Sequence, residues 1–276
     1  MDAKHFKWSA GMIIIGLLLG ILITRYSGKY FVGQPAPKSP IGAKRNPEPE
    51  YDHRNRISNN DLMSLFPRII VRQGNPKLKT LALTFDDGPD VKYTPQILDI
   101  LKKYKVKATF FVVGTQIKKY PATFRRIVRE GHDIGSHSYE HLKFSELTAA
   151  QISYQLRKNN EIIHSLGGPR QLRIFRPPYG ALDPESIHDI SKQNYQIILW
   201  TIDSLDWRGL SKTQVDKNVL PKIKNGYINL QHCASWSKKE DLSGSVASLP
   251  DIIKAAQIKG YRFVTISELL KESGRG

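Results

Sequence analysis

Short apolar runs alternate with amphipathic stretches from about Leu62 to the end of the chain. The apolar runs are rich in Val, Ile and Phe and are closed by Gly, Pro or polar residues, which is typical of buried strands. The stretches between them carry apolar residues at helical spacing, which is typical of helices packed outside a sheet. About seven strand–helix repeats in roughly 210 residues therefore predict a mainly parallel α/β sheet, closed or nearly closed into a barrel.

Individual segments follow this pattern. The run RIIV at 68–71, the turn QGNPK and the run LKTLALTF predict a hairpin that leads into the core. Later strands are predicted at ATFFVVG, HDIGSHS, LRIF, YQIILWTID, GYINLQH and YRFVTI. Helices are predicted at PATFRRIVREG, TAAQISYQLRKNNEIIHSLGG, PESIHDISKQN, TQVDKNVLPKI and LPDIIKAAQIKG.

The N-terminal part differs from the rest in hydropathy and composition. Residues 8–24, WSAGMIIIGLLLGILIT, contain no charge, and a bilayer core needs at least ~17 apolar residues. No A-x-A-like cleavage site follows, so an uncleaved transmembrane anchor is favoured over a signal peptide. Residues 25–60 are rich in Pro, Asn and charge, which predicts a flexible solvated linker. Residues 61–272 form the globular domain.

The composition excludes some classes of protein. Of the 276 residues 40 % are hydrophobic, which supports a packed core. The single cysteine, Cys233, excludes a disulfide-stapled scaffold, and we expect it to be buried and inert. The formal net charge of +17 fits either a solvated basic surface or an anionic partner such as nucleic acid, acidic lipid or cell wall. No nucleic-acid motif accompanies the charge, so nucleic-acid binding is not predicted.

Polar residues with catalytic potential cluster just after the predicted strands. Because the carboxyl ends of parallel strands meet at one rim, these residues are expected to lie together. They are Asp86 and Asp87, His137 and His141, Arg176, Asp203, Asp206 and Trp207, and His232. Taken singly, each also fits a turn, a surface ion pair or a core position. Their common placement favours an active site.

Two histidines and one aspartate of this rim can form a metal site. His137 and His141 are four residues apart, and on one helical turn both imidazoles face the same way. HSYEH has Ser138 at the position where H-E-x-x-H has its glutamate, and Glu140 is displaced. This difference excludes the zincin proteases. Either Asp86 or Asp87 can complete a three-ligand set, and the other can take a proton from the attacking water. Gly88-Pro89 breaks the strand, so both carboxylates can reach the same side.

Three further residues have roles that follow from their chemistry. Arg176 cannot act as a base, but it can hold a carboxylate by bidentate hydrogen bonds. Asp206 can orient the His232 ring and raise its basicity. Protonated His232 can then donate a proton to a leaving group.

The motifs TFDDGP, HSYEH, RPPYG, DSLDW and LQH occur in this order along the chain. Together they resemble the five motifs of the polysaccharide deacetylases, the NodB homology domain of carbohydrate esterase family four. The resemblance covers roughly residues 78–270, and all motif residues match. It implies that residues 61–272 are a catalytic domain with the fold of a distorted (β/α) barrel of about seven parallel strands.

The resemblance also implies the metal ligands and the proton-transfer groups. Asp87, His137 and His141 correspond to the family's metal ligands. The usual ion is Zn²⁺, with Co²⁺, Mn²⁺ or Ni²⁺ in some members. Asp86 corresponds to the catalytic base and Arg176 to the residue that braces it.

The remaining motif positions imply an acid and a substrate pocket. His232 corresponds to the catalytic acid, and Asp206 to the residue that tunes it. The backbone N–H of Tyr179 corresponds to the group that helps to stabilise the oxyanion. Trp207 and Leu230 would form the walls of the acetyl pocket. Asp203, which belongs to the same motif as Trp207, is grouped with these pocket residues.

These implications predict a hydrolase that removes N-acetyl groups from a cell-wall polysaccharide, with peptidoglycan as the favoured substrate. Such an enzyme acts outside the cytoplasmic membrane. This places residues 1–7 in the cytoplasm and makes the chain a single-pass membrane protein with a monomeric catalytic domain on the cell-wall side. The alternatives are a chitooligosaccharide deacetylase, an O-acetyl esterase of the xylan type and an inactive glycan-binding module.

Overall fold

Short parallel strands build one curved sheet at the centre of the fold. The computed structural model describes residues 58–236 and 241–275. Within these ranges the sheet has nine strands, and all of its strand pairs are parallel. The strands are β1 (Ile70–Val71), β2 (Thr80–Asp86), β3 (Thr109–Val112), β4 (Asp133–Ser136), β5 (Ile174–Phe175), β6 (Gln196–Ile198), β7 (Ile202–Asp203), β8 (Tyr227–His232) and β9 (Arg262–Phe263).

The sheet is a curled half-barrel rather than a closed barrel. Its strand order is β1-β6-β5-β4-β3-β2-β8-β7, and β9 pairs with the start of β2. The predicted parallel α/β architecture is confirmed, but the predicted closure and strand count need correction. The apolar run YQIILWTID divides into β6 and β7, which pair with strands at opposite ends of the sheet. Within the described residues β1 and β7 do not pair, so the sheet stays open between them.

The predicted entry hairpin is wrong. β1 pairs in parallel with β6, through Ile70 with Ile197 and Val71 with Ile198. β2 instead lies in the middle of the sheet between β3 and β8. An apolar run followed by a turn indicates a strand, but it does not identify the neighbour of that strand.

Helices surround the sheet, and the five helices that the amphipathic pattern predicts overlap five of the nine found in the described residues. Caps set several of their ends: the Thr148 side chain accepts the N–H of Gln151, and Gly131 follows one helix with a φ of +72°. The helices are α1 (Asn59–Leu65), α2 (Tyr93–Tyr104), α3 (Gly114–Lys119), α4 (Pro121–Arg129), α5 (Ala149–Ser165), α6 (Pro184–Ser191), α7 (Lys212–Val219), α8 (Ser243–Ile258) and α9 (Ile266–Glu272). Helix α1 begins inside the last residues of the predicted linker.

Strand β2 is buried along its whole length and organises the core. Its alternate residues face two apolar clusters, with Leu81, Leu83 and Phe85 in one and Ala82 in the other. At its carboxyl end Asp86 lies opposite His232 of β8 in the strand register. The sheet therefore brings a carboxylate and an imidazole side by side from positions far apart in the chain.

The predicted anchor at 8–24 lies outside the described residues, as does the predicted linker up to residue 57. Among residues 58–236 and 241–275, none of the helices combines the length and the apolar character that spanning a bilayer requires.

Candidate metal centre and active site

Three side chains that can bind a metal converge beyond the carboxyl ends of β2 and β4. They are Asp87, His137 and His141, and their ligand atoms all lie within 4.8 Å of one another. The Nε2 atoms of His137 and His141 are 3.3 and 3.1 Å from Oδ1 of Asp87. The structure therefore brings together the three residues that are predicted from the sequence as metal ligands.

The local conformation of HSYEH differs from the prediction. Residues 137–141 form an irregular loop and not a helical turn, because Ser138 and His141 have φ angles of +69° and +59°. The N–H of His141 donates to Oγ of Ser138 at 2.8 Å, which closes the loop on itself. The imidazoles converge through this turn rather than through helical periodicity.

A buried glutamine of α5 holds this loop in place. Oε1 of Gln155 accepts the N–H groups of Tyr139 and Glu140 at 3.1 and 2.8 Å, and its Nε2 donates to Glu140 at 2.6 Å. One turn further on, Nδ2 of Asn159 donates to Oγ of Ser136 at 2.9 Å. Neither residue is predicted from the sequence, because a polar side chain inside an amphipathic helix carries no signal of which loop it will contact.

The ring of His137 is oriented for metal binding. Its Nδ1 lies 2.7 Å from the carbonyl oxygen of Arg176. A carbonyl oxygen only accepts hydrogen bonds, so Nδ1 carries the proton. The other ring nitrogen, Nε2, therefore faces Asp87 and is the atom available to a metal. A second partner that sets the tautomer of a ligand histidine in this way is typical of metal sites.

The donor set fits a divalent cation. Oδ1 of Asp87 is buried and receives no hydrogen bond within the described residues, which is costly for a carboxylate without a cation. Burial alone would raise the pKa of Asp87, but His137, His141 and the charge on His232 lower it overall. The carboxylate is therefore ionised, and two imidazole nitrogens and one carboxylate oxygen could supply a three-ligand set of the kind that binds a catalytic divalent ion.

Replacing His141 with alanine should weaken metal binding by more than ~100-fold. Loss of a hydrogen-bonding partner behind a ligand already costs about 10–100-fold, and this change removes a ligand itself. Titration of metal-stripped protein with Zn²⁺, followed by calorimetry, measures the effect. His188 of α6 is exposed and provides the control, His188→Ala. Equal zinc affinity in the two variants would rule out His141 as a ligand.

Asp86 faces the same site but has a different partner. Nη1 of Arg176 donates to its Oδ1 at 2.7 Å and to Oγ1 of Thr84 at 2.8 Å. Oδ2 of Asp86 lies 3.8 Å from Nε2 of His137. Arg176 is fully buried, so one ion pair beneath the rim fixes the carboxylate next to the candidate metal ligands.

His232 and Asp206 form a second coupled pair. Nδ1 of His232 lies 2.7 Å from Oδ1 of Asp206, whose Oδ2 accepts the hydroxyl of Ser245 at 2.6 Å. Burial alone would lower the pKa of His232, but Asp206 and then Asp87 and Asp86 raise it to about 10. The ring is therefore protonated at neutral pH. Its charge stabilises the fold fully below pH 6.5, and this contribution is lost as the pH rises through about 10.

The other predicted site residues take different positions. The side chain of Tyr179 is 68 % exposed, and its ring lies 4.8 Å from that of His141. Trp207 is half-exposed and Leu230 is buried. Asp203 lies opposite Leu230 in the register, and its Oδ1 accepts the N–H of Leu205 at 2.9 Å. Asp203 thus shapes the turn that leads to Asp206.

One aromatic residue at the site was not predicted. The Trp236 ring stacks on that of His141, with centroids 5.0 Å apart and 28° between the planes, and it is 43 % exposed. It stands outside the five motifs, and a single tryptophan in a polar segment gives no signal in the sequence. Tyr179 and Trp236 together form aromatic walls beside His141, a candidate metal ligand.

Cys233 is buried, as predicted. Its N–H donates to the Asp86 carbonyl oxygen at 3.0 Å, and burial raises the pKa of its thiol well above the usual range.

A side chain on Gly88 would collide with Sγ of Cys233. Only glycine therefore fits directly after the two aspartates.

The carboxyl edge of this open parallel sheet carries a group of candidate metal ligands, a carboxylate and a protonated imidazole. Together these groups define a hydrolase active site. Comparison with known families agrees, because the polysaccharide deacetylase model matches residues 73–198. The chain is 39 % identical over 193 residues to a peptidoglycan-N-acetylglucosamine deacetylase of Bacillus cereus, covering 70 % of this chain and 69 % of that one. It is 30 % identical over 272 residues to a peptidoglycan-N-acetylmuramic acid deacetylase of Bacillus subtilis, covering 96 % and 97 %.

A solved structure of a peptidoglycan N-acetylglucosamine deacetylase superposes with a TM-score of 0.72 at 36 % identity, covering 76 % of this chain and 97 % of that one. The chain belongs to the polysaccharide deacetylase family. The family and the enzyme class that the motifs predict, a carbohydrate deacetylase, are confirmed.

Proposed function

We propose that this protein is a metal-dependent deacetylase that hydrolyses N-acetyl groups on the sugar residues of peptidoglycan. The arrangement that carries the proposal is the pairing of Asp86 with His232 at the edge of the Asp87–His137–His141 cluster. A base and an acid that flank one metal site fit the hydrolysis of an amide. Relatives named for both sugars of peptidoglycan support the choice of polymer.

Asp86 is the proposed base. A divalent ion held by Asp87, His137 and His141 would polarise the acetamide carbonyl and make water more acidic. Asp86 is the proposed acceptor of the proton of the attacking water, because its ion pair with Arg176 holds the carboxylate in place at the site. The N–H of Tyr179 is the proposed donor to the oxygen that becomes negative in the tetrahedral intermediate.

His232 is the proposed acid. Its ring is protonated near neutral pH because Asp206 holds Nδ1. Its Nε2–H therefore remains to protonate the departing sugar nitrogen, which leaves as a free amine while acetate forms. Trp207 and Leu230 are the proposed walls of the pocket for the acetyl methyl group, and Asp203 supports the turn before Asp206.

The Asp206→Asn variant should lose activity at alkaline pH. Removal of the negative charge leaves burial as the dominant influence on His232, so the pKa of the ring falls from about 10. An acid with a lower pKa is deprotonated earlier, so the alkaline limb of kcat against pH moves to lower pH. The kcat profile of the metal-loaded enzyme between pH 6 and 10 measures the shift. An unchanged alkaline limb would contradict the assignment of His232 as the acid.

The proposed metal is Zn²⁺, because two imidazoles, one carboxylate and an open position are the usual ligand set of catalytic zinc. Co²⁺, Mn²⁺ and Ni²⁺ accept the same donors and are the alternatives.

The proposed location is the outer side of the cytoplasmic membrane. The uncharged run at 8–24 would anchor the chain, with residues 1–7 in the cytoplasm, the linker 25–60 outside and a monomeric domain at 61–272 facing the wall. A net charge of +17 is suited to an anionic cell wall. Neither the motifs nor the site supports nucleic acid as a partner.

Acetate release by the full-length protein tests the function. Isolated peptidoglycan, chitooligosaccharides and acetylated xylan are offered with Zn²⁺ or with a chelator. Release from peptidoglycan that a chelator abolishes supports the proposal. Release from only one of the other two substrates would assign the chitooligosaccharide or O-acetyl activity instead, and no release from any of them would favour a binding module.

A further inference from the structure

A cavity of about 210 Å³ lies on the same rim as the metal site, at the carboxyl ends of β1 and β6. Helix α1 covers one side of it. Its lining residues are Asn59, Asn60, Met63, Arg72, Leu199 and Trp200. None of these residues belongs to the five motifs or to the proposed chemistry.

The cavity is close to the metal ligands. Nδ2 of Asn59 donates to the carbonyl oxygen of Gly180 at 3.4 Å, and a Cβ on Gly180 would lie 3.0 Å from the Trp200 ring. The neighbouring Tyr179 contacts His141. The segment Tyr179–Gly180 therefore lies between the cavity and the metal centre, and a polymer bound across the rim could reach both.

The lining residues have the chemistry that is needed to bind a sugar with a carboxylate group. Arg72 is its one charged residue, it is exposed, and no carboxylate in the described part of the chain forms an ion pair with it. Its Nη1 donates to Oδ1 of Asn60 at 3.0 Å, which holds the guanidinium while other N–H groups remain available. A guanidinium binds a carboxylate with two parallel hydrogen bonds. Trp200 and Met63 add an apolar surface that suits a sugar ring or a methyl group.

We propose that this cavity is a subsite that binds the carboxylate-bearing substituent of a sugar next to the one that is deacetylated. The inference rests on the proposed function and deepens it. Each muramic acid of peptidoglycan carries a lactyl ether whose carboxyl group is either free or joined to a stem peptide with carboxylates of its own. Chitin carries no carboxylate. Arg72 would thus favour the acidic polymer over the neutral one.

Acetate release by the full-length enzyme and three variants tests this subsite. The variants are Arg72→Ala, Arg72→Lys and the control Arg68→Ala, since Arg68 is an exposed arginine before the opposite end of β1. The substrates are glycan strands with stem peptides, strands stripped of peptides, and chitooligosaccharides. A charge-assisted hydrogen bond to a carboxylate predicts that the ratio of kcat/KM for acidic strands to that for chitooligosaccharides falls about tenfold in Arg72→Ala. It should fall less in Arg72→Lys and stay unchanged in Arg68→Ala.

Comparison of the three substrates shows which carboxylate the subsite binds. If the kcat/KM ratio falls in Arg72→Ala only for stripped strands, the bound group is the lactyl carboxylate. If the ratio falls only for intact strands, the bound group is a stem-peptide carboxylate. Both results support the subsite. An unchanged ratio, or the same fall in Arg68→Ala, overturns it.

A binding measurement separates this inference from the proposed function. N-acetylmuramic acid and N-acetylglucosamine are titrated into wild type and Arg72→Ala, and affinity is followed by NMR. Binding of the acidic sugar that is weakened about tenfold by Arg72→Ala supports the subsite, even if wild type releases no acetate from peptidoglycan. Equal affinities of wild type and variant for the acidic sugar overturn it.

Discussion

Asp86→Asn is expected to lower kcat by about 10²–10⁴, which is the usual contribution of a positioned general base. The substitution keeps the shape of the side chain but removes its ability to accept a proton at neutral pH. The proposed metal ligands Asp87, His137 and His141 are unchanged, so metal content should remain that of wild type. Steady-state acetate release and metal analysis of the same preparation provide both measurements.

The control for this prediction is Asp99→Asn, the same change at an exposed residue of α2 that pairs with Arg126. It should leave kcat within twofold, because exposed ion pairs contribute ~1 kcal/mol or less to stability and Asp99 is on the surface of a helix. If Asp86→Asn binds metal, stays folded and retains more than a tenth of the wild-type kcat, Asp86 is not the base.

Arg176→Leu is expected to lower the free energy of unfolding by about 3–5 kcal/mol, the usual cost of breaking a buried ion pair. The change leaves the carboxylate of Asp86 buried without its cation. It also removes the hydrogen bonds to Thr84 and to the Ile198 carbonyl oxygen. Urea unfolding of the metal-free protein measures the loss. Activity should fall with it, because Asp86 is no longer held.

A second substitution separates charge from packing. In the double variant Asp86→Asn with Arg176→Leu no carboxylate is left unpaired, so its loss of stability should be smaller than the sum of the two single losses. Arg157→Leu, which breaks an exposed pair with Glu161, should cost about 1 kcal/mol or less. Additive losses in the double variant would mean that the pair with Asp86 contributes nothing to stability.

Much of the site could be predicted because its residues follow strands directly. The end of a strand is a local signal, and the parallel architecture places all such ends at one rim. Asp87, His137 and His141 therefore meet as the sequence predicts. The proximity of Asp86 to His232 depends in addition on the pairing of β2 with β8, which is a property of the sheet and not of either segment.

The predictions that were wrong concern partners and local turns. YQIILWTID is predicted to be one strand, but its two halves pair with different neighbouring strands. The pairing of a strand depends on the packing of the whole sheet and not on the strand's own sequence. HSYEH has helical spacing, but Gln155 holds it as a loop through the backbone of Tyr139 and Glu140. No pattern within five residues encodes a contact with a helix that begins at Ala149.

The α/β class, five of the nine described helices, the family and the set of residues with catalytic potential follow from the amino-acid sequence alone. These features depend on hydrophobic periodicity, on caps such as Thr148 and on side-chain chemistry, all of which operate over short stretches of chain. The open half-barrel, the stacking of Trp236 on His141 and the cavity around Arg72 depend on the folded structure. Each of these joins segments that are distant in sequence, and their free energy depends on packing and pairing that no single segment contains.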